Sequence, residues 1–419
     1  MGSIKIWQKI KGIGPEFIMT TIAQSLYLLQ SVVQNKIFTS FFSTSVFGMW
    51  SLIVSAYTLV SMIPFSALDQ GIYRTAFNSK KEGKDNQLYS MIAIFYFTGF
   101  LLYTFIFVWM NIIQGEKFFA YGYTVPFLLY SFSEILKNTY VILDNAYRNR
   151  KRVLIIRVFG FASRTILFLV FHHLGIFTLE SVLWILFGTN LIILAYQNRF
   201  IRNITLKIDS KYCKQLGITI IKFSGPLLTW AVFGWMQNMI SRWYLDALLD
   251  LESVAMYSVL TTLSFFVPNA VYTIINSYVM PIVFQDNRPF TRKSLLKYIG
   301  LVASPMMIYW LGVCFLGKYL ILILTDTKYL DICKYLPLTT FTAVLYAIAM
   351  LSTVEIYRRG DTKRLIISTI LPGLFMATVG YVLINKLGFT GAVVNYMSGH
   401  IIYVTLTFLV IFNKRNLSY

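Results

Sequence analysis

The sequence predicts an all-α, polytopic membrane protein of about twelve transmembrane helices, arranged as two six-helix bundles. Three observations predict it. Of the 419 residues 57% are apolar and only 13% charged, a balance outside that of water-soluble globular chains. Apolar runs of the roughly 20 residues needed to cross a bilayer recur along the whole chain. Lys and Arg, finally, alternate between loops: twenty-seven fall at the two termini and in segments 69–88, 146–157, 198–216, 284–297 and 357–364, and seven in the intervening loops. The positive-inside rule then puts both termini in the cytoplasm and makes twelve crossings self-consistent.

In the first half the crossings are expected at 14–34, 45–68, 89–111, 122–145, 153–172 and 178–197. In the second they are expected at 217–240, 253–279, 297–317, 335–356, 365–384 and 391–412. The first opens after Lys5, Lys9 and Lys11, yet it is too long for a signal-peptide apolar region and no small-residue cleavage site follows, so it is expected to stay as an anchor. The net charge of +20 suggests nucleic acid only until the charges are located. They sit in short loops that topology already explains, which excludes that class of partner. Cys213, Cys314 and Cys333 have no metal-site spacing and read as inert thiols, a pair being conceivable only for the last two. His172 and His173 close the fifth crossing and read as a solvated helix end. No metal or cofactor is implied, and no catalytic triad or phosphate loop marks an enzyme.

The chain repeats itself. Tyr147-Arg148 returns as Tyr357-Arg358, 210 residues on, and Lys151-Arg152 with its apolar run returns as Lys363-Arg364 at an offset of 212. Lys11-Gly-Ile-Gly-Pro15 is echoed by Lys222-Phe-Ser-Gly-Pro226 (211), Gly48-Met-Trp-Ser51 by Ala255-Met-Tyr-Ser258 (207), and Leu174-Gly175-Ile176 by Leu387-Gly388-Phe389 (213). Five echoes in register predict a duplication into lobes 1–205 and 206–419. Six crossings is an even number, so the lobes are expected to share one orientation, related by a pseudo-two-fold axis along the membrane normal, which is the plan of an alternating-access transporter. The paired prolines Pro15 and Pro226, at the entries of crossings 1 and 7, are candidate hinges.

Polar residues inside the crossings point to the cargo. Arg164, near the middle of the fifth, costs about 2.5–3.5 kcal/mol on the insertion scale and must face a cavity or a partner. Glu134, Lys137 and Asp144 share a broad face of the fourth, with Glu134 placed to neutralise Lys137 at i+3. The group reads either as a salt-bridge network between crossings 4 and 5 or as a substrate-facing site. Gln24 and Gln30 in the first crossing, and Gln237 and Asn238 in the seventh, are candidate ligands or interhelical hydrogen-bonding groups. Arg164 reads as the least compensated charge of a weakly cationic interior, and an anionic cargo follows; the guanidinium fork suits phosphate.

The stretches SVFGMWSLIVSAYTLVSMIPFSALDQGIYR (45–74), RWYLDALLDLESVAMYSVLTTLSFF (242–266) and LGFTGAVVNYMSGHIIYVTLTFLVIF (387–412) resemble the Wzx-type polysaccharide flippases of the multidrug/oligosaccharidyl-lipid/polysaccharide exporter superfamily. The motif positions carried over are Gly48, Asp69, Gly71, Arg74, Tyr257, Gly388, Gly391 and Ala392. The resemblance implies two six-helix bundles around a central cavity. It also implies movement of an undecaprenyl-pyrophosphate-linked oligosaccharide across a bacterial cytoplasmic membrane for surface polysaccharide such as O-antigen, beside a polysaccharide polymerase and a chain-length regulator. Coupling to H+ or Na+ stays open, with Glu134 and Glu355 as titrating candidates. A multidrug exporter of the same superfamily would call for an acidic cavity, whereas these interiors lean positive. A polymerase would be expected to place catalytic arginines on a large outer loop, and the longest outer loop here is about 318–334.

Overall fold

The computed structural model of the chain describes residues 15–114, 123–199, 210–285, 292–353, 356 and 364–412. Every regular element among them is helical. In order they are α1 (Pro15–Phe41), α2 (Thr44–Val60), α3 (Ala67–Lys81), α4 (Asp85–Gln114), α5 (Thr124–Ala146), α6 (Arg150–His173), α7 (Leu179–Asn198), α8 (Ser210–Leu248), α9 (Leu251–Gln285), α10 (Arg292–Leu324), α11 (Leu336–Ser352), α12 (Arg364–Leu387) and α13 (Phe389–Phe412), with a 3-10 turn at Thr327–Lys334. Eight of these are long and apolar enough to cross a membrane, or ten if two bent pairs each count as one crossing. The protein is a multi-pass membrane protein. Of the remaining expected crossings, α1 is diluted by its glutamines and α5 by Glu134, Lys137 and Asp144; both are helices at the expected places.

Local chemistry sets the breaks. Ile63 precedes Pro64, whose ring disfavours helical backbone at the residue before it, and Ile63 is driven to φ −121°, ψ 104°, separating α2 from α3. At the start of α7, Thr178 accepts from the Ser181 amide at 3.1 Å while Ser181 Oγ accepts from the Thr178 amide at 2.9 Å, a reciprocal cap. Asp250 does the same work for α9 through the Ser253 amide at 2.7 Å. Gly388, at φ +59°, makes the left-handed turn between α12 and α13 without a Cβ penalty. α8 is bent by 42° at Pro226, whose missing N–H removes a ladder bond.

The first copy of the repeated phrase closes the α5–α6 hairpin. Arg148 takes the left-handed backbone at φ 59°. Tyr147 donates to Asp85 at 3.3 Å and lies under the Lys80 ammonium at 4.7 Å. Arg150 donates to Asn145 at 2.5 Å and Arg152 to Asp144 at 2.8 Å. The basic residues of this loop therefore also tie its two helix ends together. Most of the second copy, 357–363, lies outside the described residues, as do Gly14 and Glu355.

By compactness the chain divides into two units, Met1–Gln34 with Val60–Leu228, and Asn35–Leu59 with Thr229–Tyr419. In the first, Ala23, Val141, Val153, Ile156 and Ile193 form an apolar cluster joining α1, α5, α6 and α7. In the second, Val302, Met306, Val344, Ala347, Ile348 and Leu351 join α10 to α11. Two lysines in the second unit bind helix-end carbonyls reciprocally. Lys36 of α1 donates to Leu322 O at 2.9 Å and to Thr325 O, at the end of α10, and Lys328 donates to Phe42 O at 2.5 Å, at the end of α1. The helix dipoles favour positive charge at both places.

Candidate functional site

Charge inside an apolar bundle must be paired, hydrogen-bonded or turned toward a ligand. In the first unit three helices meet this demand together. Glu134 and Lys137, one turn apart on α5, bond at 2.5 Å. The second carboxylate oxygen of Glu134 accepts from Arg164 Nη2 of α6 at 2.8 Å. Nη2 also donates to Asn190 Oδ1 at 2.7 Å and Nε to Thr189 Oγ1 at 3.2 Å, both on α7. Asn190 closes the circuit by donating to Ser133 Oγ of α5 at 3.0 Å. Lys137 and Arg164 are buried, at 4% and 7% exposure, so these contacts stand in for water the two cations lose.

A cavity of about 20 Å³ lies beside the network, with Ile156, Gly160 and Ile193 as its apolar wall. Its polar wall is Glu134, Lys137 and Arg164 together with Tyr27, Gln30 and Arg157. The Arg157 guanidinium lies over the Tyr27 ring, 4.4 Å from its centre. Three cations and one carboxylate thus surround one small space, and both carboxylate oxygens are engaged by Lys137 and Arg164.

The structure corrects the sequence reading in three respects. Arg164 is the most fully bonded cation of the cluster rather than the least compensated. Arg157 falls in the basic segment 146–157, yet its side chain lines the cavity. Its spacing of seven from Arg164, two turns of one helix face, was the signal that could have found it. Asp144 does not join the cluster. Seven residues beyond Lys137 it is about 10 Å further along α5, and it pairs with Arg152 and with Asn149 at 3.2 Å.

The other expected positions are placed as follows. Gln24 is half-buried on α1, and Gln30, two turns on, lines the cavity instead. Gln237 and Asn238 belong to the second unit. Gln237 is 1% exposed, with both amide atoms buried and unbonded among the described residues; Asn238 donates within its own helix to Gly234 O at 2.8 Å. Pro15 is the first described residue of α1. Gly48 faces the backbone carbonyl of Leu251, and a Cβ there would sit inside it. Asp69 is buried and accepts from Thr139 at 2.6 Å and Tyr96 at 3.0 Å. Gly71 packs on Ile220 and Ser224. Arg74 is exposed, with its guanidinium 4.7 Å from the Phe223 ring centre. Tyr257 and Ala392 are fully buried, and Gly391 packs on Leu383. None of the three cysteines forms a disulfide among the described residues.

Among the described residues the fold is all-α, and it is shared with several solved structures. One solved structure with this fold is an inward-facing multidrug resistance MATE family transporter (TM-score 0.70, 13% identity, 95% of this chain and 97% of that one). A second is the lipid II flippase MurJ in an inward closed conformation (TM-score 0.68, 16% identity, 94% and 87%), and a third is the eukaryotic MATE transporter AtDTX14 (0.62, 13%, 100% and 98%). No family model matches the chain, and no curated protein does.

Proposed function

We propose that this protein is a Wzx-type flippase of the bacterial cytoplasmic membrane that moves an undecaprenyl-pyrophosphate-linked oligosaccharide between leaflets by alternating access. The observation that carries this reading is the net-positive cavity of the first unit, where three cations share one carboxylate. A pyrophosphate is the anionic part of such a cargo, and arginine donors in a poorly hydrated cavity recognise it strongly. The likeness to a lipid II flippase supports a lipid-linked cargo. In this reading lobes 1–205 and 206–419 are the duplicated halves, Arg164, Lys137 and Glu134 form the cargo-facing network, and Pro15 and Pro226 are the points about which crossings 1 and 7 bend. Both termini are cytoplasmic. The chain transports and catalyses nothing covalent.

The MATE likenesses favour a second reading, a multidrug or cation-coupled exporter. Depletion of the protein separates the two. The flippase reading expects a lipid-linked oligosaccharide to accumulate in the inner leaflet and surface polysaccharide to fall. Unchanged lipid-linked pools together with drug sensitivity would give the exporter its place.

A further inference from the structure

The cavity is too small for the ligand its charge invites. About 20 Å³ holds roughly one water, and a phosphate with its four oxygens needs more. One wall must therefore move. Ile156 and Ile193 belong to the packed apolar cluster, and Lys137 and Arg164 are held by Glu134, Asn190 and Thr189. Tyr27, by contrast, is 49% exposed and is held at the cavity by stacking under Arg157. Arg157 is also the cavity cation with no carboxylate within ion-pair distance among the described residues; its direct contact is the Tyr27 ring face, and Glu134, engaged by Lys137 and Arg164, acts on it only from across the cavity.

We propose that Arg157 is the group that receives a phosphate oxyanion, and that Tyr27 is the gate it must release. In this structure the aromatic face holds the place of an anion against the guanidinium. When an oxyanion arrives, the guanidinium exchanges a cation–π contact for charge-assisted hydrogen bonds, which are stronger, and the exposed Tyr27 swings out to enlarge the space. Arg164 and Lys137 contribute field and position without giving up Glu134. The inference rests on the flippase reading only for the identity of the whole cargo; the site itself is defined by phosphate chemistry.

The test is thermal stabilisation of the purified full-length protein in detergent, titrated with inorganic pyrophosphate and separately with farnesyl pyrophosphate, against sodium chloride of matched ionic strength. The wild type is expected to be stabilised by either probe. A response to farnesyl pyrophosphate alone assigns the site to a lipid-borne phosphate, and a response to both assigns it to phosphate as such. Arg157→Gln should weaken binding tenfold or more and Arg157→Lys less. Tyr27→Leu should tighten binding by about two- to fivefold, because the competing stack is gone. A purely structural Tyr27 would weaken binding when removed. An Arg157→Gln protein that binds as the wild type does, or a Tyr27→Leu protein that binds more weakly, overturns the proposal. Because inorganic pyrophosphate is read without transport, loss of this site and failure of the flippase reading are separate results.

Discussion

Glu134→Gln is the most informative single change in the first unit, because two buried cations depend on that one carboxylate. Arg164 bonds one of its oxygens at 2.8 Å and Lys137 the other at 2.5 Å. Breaking a buried pair from one side costs about 3–5 kcal/mol, mostly the penalty of the stranded charge. Glu134→Gln strands two charges and belongs at or above the top of that range. Arg164→Ala strands Glu134 only in part, since Lys137 remains, and belongs near 3 kcal/mol. Lys137→Met leaves Glu134 on Arg164 and puts an apolar chain of similar length in a buried position, so it should cost least. The expected order of instability is Glu134→Gln, then Arg164→Ala, then Lys137→Met, read by thermal unfolding of purified protein and by abundance in membranes. Replacing all three with apolar residues of similar size should recover much of the stability, as buried ion networks often allow. Transport should stay lost, because the cationic field is gone. Equal instability of Arg164→Ala and Glu134→Gln would refute the shared-carboxylate geometry, and recovery of transport in the triple variant would refute a role for these charges in binding cargo.

Four further outcomes are expected. Gly48→Ala forces a methyl against the Leu251 carbonyl and should destabilise by about 1–3 kcal/mol in thermal unfolding. Arg148→Gly relieves a left-handed backbone and should stabilise by up to about 1 kcal/mol, less whatever entropy the extra unfolded-state freedom returns. Pro226→Ala restores a helix bond at the 42° bend of α8 and should lower transport while leaving abundance near wild type; full activity would reduce the proline to packing. Reporter fusions near residues 80, 150, 205, 290 and 360 should read cytoplasm and those near 115, 247 and 325 outside, and an outside reading at 205 would break the two-lobe arrangement.

What the chain advertises locally was legible. The Glu134–Lys137 contact is a one-turn spacing on a single helix, and it forms as the spacing predicts. The break at Pro64 and the bend at Pro226 follow from what a proline ring does to its own neighbours. Arg157 was misplaced for the complementary reason: counted by position it is one more basic residue near a loop, and only the extent of α6 makes it a cavity residue.

Hydrophobicity and charge alternation are properties of short segments, and they suffice to determine that this is a helical, multi-pass membrane protein and where most of its candidate crossings lie. Which charges meet is a property of helix rotation and neighbourhood. Arg164 reaches Glu134 across thirty residues and Arg157 reaches Tyr27 across a hundred and thirty, through a packing of α1, α5, α6 and α7 set by apolar contacts such as Ala23, Val141 and Ile193. That packing is the sum of many weak, non-directional contacts with no signature at any one residue. Tertiary structure alone therefore decided that Arg164 pairs with Glu134, that Asp144 serves the hairpin, and that Arg157 is the cavity cation without an ion-pair partner among the described residues.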